Sequence, residues 1–99
     1  MPGGGLRDRT DLVSWRLVYA QHAHTDAKKV AASGLRPKVE QLLELLADDP
    51  LRNPPPFEWL VGELSGAYSR RINDEHRLVY QILPDEHVVK VLRMWTHYE

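Results

Sequence analysis

The chain has 99 residues, 42% of them hydrophobic and 27% charged, enough for one domain with a single modest core. Its net charge of −1, balanced in both halves of the chain, excludes a bulk electrostatic pull toward nucleic acid, so any such site has to be a local cluster. The absence of cysteine excludes disulfides, thiol catalysis and zinc–thiolate sites.

Residues 1–13 are Gly-rich and charged and read as a flexible extension ahead of a single domain over residues 14–99. They hold no apolar h-region for a secretory signal. No later run approaches the ~20 apolar residues that span a bilayer, so the expected compartment is the cytoplasm, with no membrane partner.

Trp15-Arg16-Leu17-Val18-Tyr19 alternates β-formers with a polar residue and predicts a short strand. Ala20 to Ala32 is rich in Ala, Lys, Gln and His, and Ser33-Gly34 closes it as a helix stop. Leu35 to Ala47 is the clearest helix: Leu35, Val39, Leu42, Leu43 and Leu46 form one apolar stripe, with Pro37 tolerated in the first turn. The two helices are expected to pair as an antiparallel hairpin. Arg52-Asn53-Pro54-Pro55-Pro56 reads as an extended, proline-stiffened linker, and Phe57-Glu58-Trp59-Leu60 as a short extended piece. Three strands follow, Tyr68–Ile72, His76–Leu83 and Val88–Trp95, with connections short enough for antiparallel neighbours. The order β-α-α-β-β-β predicts an α+β domain with two N-terminal helices packed on an antiparallel-rich sheet.

Strand alternation sorts the polar residues of the last third. Tyr68, Arg70 and Ile72 share one face and Ser69 and Arg71 the other; Arg77, Val79 and Gln81 lie opposite His76, Leu78, Tyr80 and Ile82. Arg71 and Arg77 can therefore flank one hairpin turn, with guanidinium groups suited to phosphate. The plainer alternative is that each is a solvated or salt-bridged strand residue. Glu58, between Phe57 and Trp59, is either a surface carboxylate or a general base in partly apolar surroundings. His97 and Tyr98 offer a proton donor and a stacking ring, or simply a packed strand end. His22 and His24 are spaced i, i+2, which is poor for a shared metal on a helix, and no cluster has metal-ligand spacing, so no metal and no cofactor are expected.

Leu64-Ser65-Gly66 with Ser69-Arg70-Arg71-Ile72, then Glu75-His76-Arg77-Leu78-Val79-Tyr80, then His97-Tyr98, resembles the YoeB (Txe) toxins of the RelE superfamily over residues 15–99. The resemblance implies a RelE-like fold and a bacterial type II toxin: an endoribonuclease that cuts mRNA in the A site of the 70S ribosome, bound and silenced by a YefM-type antitoxin. It further implies a homodimer and, together with the antitoxin, indirect contact with operator DNA. By the same resemblance, Glu58 corresponds to the general base, Arg71 and Arg77 to phosphate-binding arginines, His97 to the general acid and Tyr98 to the aromatic that positions substrate. One departure stands out: Val61-Gly62-Glu63 lies where the family often carries basic or amide side chains. The near-neutral charge fits a ribosome-borne substrate better than a free ribonuclease, which has to grip RNA alone. A non-catalytic binding or co-repressor member of the same fold is the alternative.

Overall fold

The computed structural model describes residues 14–61 and 66–95. The expected extension at residues 1–13, and His97 and Tyr98, lie outside the described residues.

The elements run β1 (Arg16–Tyr19), α1 (Gln21–Ala32), α2 (Arg36–Asp48), β2 (Glu58–Trp59), β3 (Ala67–Arg71), β4 (Arg77–Leu83), a 3-10 turn (Pro84–Glu86) and β5 (Val88–Arg93). The α+β class and the RelE-like helix-helix-sheet arrangement are as expected. The extended piece at Glu58 is a true strand: β2 pairs antiparallel with β3 and completes a five-stranded sheet of order β1-β5-β4-β3-β2. The sheet is mixed, because β1 runs parallel to β5, with Arg16 opposite Val88.

Local chemistry explains the helix boundaries. Gly34, at φ 82°, takes the left-handed position after Ser33. The Leu35 amide then donates to the Val30 carbonyl at 3.2 Å and the Gly34 amide to Ala31, a Schellman closure that turns the chain into α2. Pro37 sits in the first turn of α2, where its missing N–H costs nothing.

The buried positions Val39, Leu42 and Leu46 of α2 and Ala23 and Val30 of α1 meet Leu78, Tyr80, Val89 and Val91 in one core. Each buried aliphatic side chain contributes roughly 1.5–3 kcal/mol of transfer free energy. Leu78 and Tyr80 thus face the helices, and the intervening residues of β4, Arg77 and Val79, lie on the other side of the strand. None of the described helices is long and apolar enough to cross a membrane.

The proline segment differs from the expected extended spacer. It folds back so that the carbonyls of Pro50, Arg52 and Pro55 all converge on the guanidinium of Arg70. Arg70 is 1% exposed, donates through Nε to the Tyr80 hydroxyl at 2.9 Å, and lies 4.9 Å from the Phe57 ring centroid. A buried guanidinium is tolerable only because its donors are satisfied in this way. Burial pushes the Tyr80 hydroxyl above its ordinary value, against the opposing pull of Arg70.

Candidate active site

Three of the five residues singled out in the sequence come together at one end of the sheet. Arg71 ends β3 and Arg77 opens β4, and the two are direct cross-strand partners, as alternation allows. Glu58 lies across β3 on the outer strand, opposite Ser69, and Ser69 shares a strand face with Arg71. One strand face therefore presents a carboxylate and two guanidinium groups.

The turn between Arg71 and Arg77 is closed by side-chain chemistry. Asn73 Oδ1 accepts from the amides of Glu75 at 2.8 Å and His76 at 2.7 Å, while the Ile72 amide donates to the His76 carbonyl at 2.9 Å. The His76 ring stacks on Trp95 with centroids 3.8 Å apart. This fixes the hairpin that carries both arginines.

Arg77 donates through Nη1 to Glu58 Oε1 at 3.1 Å. Its side chain is only 20% exposed against 61% for Glu58, so the guanidinium is held against the protein while the carboxylate reaches solvent. Arg71 is exposed and lies 3.9 Å from Asp74, a contact too open to immobilise it. Glu58, Arg71 and Arg77 line a cleft of about 470 Å³ with Ser69 at its wall and Lys38 of α2 at its margin.

Of the two surroundings open to Glu58, the structure gives the surface one rather than a partly apolar one. Trp59 is itself exposed, edge-on to Tyr68 at 4.8 Å, and Phe57 turns toward Tyr68 and Arg70. A two-residue strand at a sheet edge buries too little on either side of Glu58 to enclose it. The carboxylate meets water and Arg77 instead.

Sequence reasoning missed Lys38, Ser69 and the structural role of Arg70. Lys38 lies on the apolar-striped helix and reaches the cleft only through tertiary packing. For Arg70 a signal existed: alternation puts it with Tyr68 and Ile72, on the face that turns inward.

Over residues 15–98 the sequence matches the family described as YoeB-like toxin of bacterial type II toxin-antitoxin system. It is 36% identical over 76 residues to Toxin YoeB of Streptomyces coelicolor (strain ATCC BAA-471 / A3(2) / M145), covering 75% of this chain and 90% of that relative. The YoeB dimer from Staphylococcus aureus has a similar structure, with a TM-score of 0.72 and 31% identity over 86% of this chain and 99% of that one. A YoeB-YefM complex from Staphylococcus aureus aligns with a TM-score of 0.70 and 31% identity, covering 85% and 98%. With fold and sequence agreeing over nearly the whole domain, the chain belongs to the family of YoeB-like toxins of bacterial type II toxin-antitoxin systems.

Proposed function

We propose that the protein is a ribosome-dependent mRNA endoribonuclease. The observation that carries this reading is the single cleft in which Arg71 and Arg77 stand opposite one another with Glu58 against Arg77. Such a site suits a phosphodiester with an internal nucleophile. RNA supplies the 2′-hydroxyl, so no metal enters the reading.

Glu58 takes the 2′-hydroxyl proton as the 2′-oxygen bonds to phosphorus. Arg71 and Arg77 stabilise the charge that builds on the phosphorane-like transition state. The bond from phosphorus to the 5′-oxygen breaks, and His97 protonates the departing oxygen. Tyr98 holds the neighbouring base so that attack is in line. The roles of His97 and Tyr98 rest on the motif resemblance. The products are a 2′,3′-cyclic phosphate and a 5′-hydroxyl.

The Staphylococcus aureus relative is solved as a dimer and in a complex with YefM, which supports a homodimer and a YefM-type antitoxin here. An acidic antitoxin segment that folds on binding would neutralise Arg71 and Arg77. A substrate on the translating ribosome places the action in the cytoplasm.

The test is mapped cleavage of mRNA in a translating bacterial extract. The reading expects 5′-hydroxyl ends that appear only with ribosomes and fade with Glu58→Ala and His97→Ala. Full translation in the presence of the pure protein overturns it and favours the non-catalytic alternative. Efficient cutting of naked RNA overturns ribosome dependence.

A further inference from the structure

Ser69 is 1% exposed, and its Oγ is buried with no hydrogen-bond partner among the described residues. A buried hydroxyl left in this state costs about 1–3 kcal/mol, and an alanine would fill the same strand position without that cost. Its place is specific. Ser69 is the direct cross-strand partner of Glu58, shares a strand face with Arg71, and lines the cleft that holds Glu58 and Arg77. The hydroxyl therefore sits directly across the strand pair from Glu58, whose carboxylate in this state is engaged by Arg77 instead.

We propose that Ser69 is a positioning residue: when a phosphate draws Arg77 away, the Ser69 hydroxyl donates to the Glu58 carboxylate and holds it toward the 2′-hydroxyl. This deepens the ribonuclease reading and rests on it for its catalytic meaning. Directly opposed residues of antiparallel strands have Cβ atoms about 4.5–5.5 Å apart, so one rotamer change of Glu58 brings its oxygen within reach of Oγ. Two partners acting in turn let the carboxylate stay oriented while Arg77 moves to the phosphate. The unmatched hydroxyl of the free protein is then a donor kept for the substrate-bound state.

The experiment compares wild type with Ser69→Ala and Ser69→Thr. Ser69→Ala is expected to keep or raise the thermal midpoint, to lower kcat in the translating extract by about tenfold or more, and to leave KM within about twofold. Ser69→Thr, which keeps the hydroxyl, is expected to recover most of that kcat. A second readout does not depend on cleavage: the ¹³C shift of the Glu58 carboxyl, recorded with and without inorganic phosphate as the probe. Ser69→Ala is expected to change that shift only when phosphate is present. An unchanged shift with phosphate overturns the proposal, as does a kcat equal to wild type in an active preparation. If wild type cuts no mRNA, the ribonuclease reading fails and the carboxyl shift alone decides the Ser69 contact. If Ser69→Ala melts lower and loses activity in proportion to its unfolded fraction, the residue is structural and the proposal falls.

Discussion

Arg77 reaches across the whole width of β3 to donate to Glu58 at 3.1 Å, joining two strands that are not neighbours in the sheet. The carboxylate side of this pair is open to solvent, which limits its worth to stability to about 1 kcal/mol or less. On the proposed ribonuclease reading its meaning lies in chemistry, because base and phosphate ligand then occupy one another until substrate arrives. Glu58→Gln should therefore melt close to wild type yet lower kcat by roughly 10²–10⁴-fold. Arg77→Lys should also fold, but a point-charge ammonium cannot reproduce a two-pronged guanidinium contact. Its kcat/KM in the translating extract should fall well below wild type, and equal rates would remove Arg77 from the site.

Adjacent arginines give opposite predictions. Arg70 satisfies its donors on Tyr80, Pro50, Arg52 and Pro55 in the interior, whereas Arg71 is exposed beside the cleft. Arg70→Ala takes the guanidinium donor from the part-buried Arg52 and Pro55 carbonyls and opens a cavity under Phe57, while Tyr80 still donates to the Pro50 carbonyl at 3.1 Å, and it should destabilise by on the order of 3 kcal/mol in urea melts. Because Arg70 also anchors the segment leading to Glu58, its activity should fall with its stability. Arg71→Ala should leave the urea midpoint nearly unchanged, within about 0.5 kcal/mol, while cutting activity sharply. A stable, inactive Arg70 variant with an unstable Arg71 variant would reverse the assignment.

This contrast marks how far the sequence could be read. The helices were legible because Val39, Leu42 and Leu46 recur on one helical face and Gly34 supplies the stop. Arg71 and Arg77 were legible because period-two alternation and a short turn leave little freedom in a hairpin. The parallel pairing of β1 with β5 was not, since strands so distant in sequence carry no local register signal. Nor was the enclosure of Arg70 by the proline loop: its partners are backbone carbonyls, which every residue possesses and no sequence pattern advertises. Glu58 was singled out through its motif rather than its surroundings, because one sequence fits both a surface carboxylate and a partly apolar one, and only the pairing of β2 at the sheet edge decides for the exposed position.

Lys38 provides a positive charge from α2 to the lining of the cleft. On the proposed reading, a lysine there adds to the attraction for RNA while Glu58, Arg71 and Arg77 meet the reacting atoms. Lys38→Glu should raise KM severalfold, leave kcat near wild type, and weaken the dependence of kcat/KM on salt. Single-turnover cleavage over a range of salt concentrations checks this. A drop in kcat at constant KM would show that Lys38 acts in the chemical step instead.

Asp26 is the one carboxylate buried among the described residues, 2% exposed on the inner face of α1. Burial alone would raise its pKa. Arg93 donates from Nε at 2.8 Å and the Met94 amide at 3.0 Å, and with the Arg93 charge and the Trp95 amide these outweigh burial and hold the carboxyl below its ordinary value of 3.8. The sign of the linkage follows from that direction. The folded state binds the Asp26 proton less readily than the unfolded chain does. The stabilisation is therefore fully present above the unfolded value and is lost as pH falls through the lower folded value. Asp26→Asn should cost about 2 kcal/mol at neutral pH, the worth of hydrogen bonds to a charged group. Its deficit should then shrink as pH drops below about 3.8, because protonation costs wild type the same charge. Urea melts of both proteins between neutral and acid pH check this, and a deficit that stays constant through the acid range would mean that the charge of Asp26 contributes nothing to holding Arg93 and the end of β5.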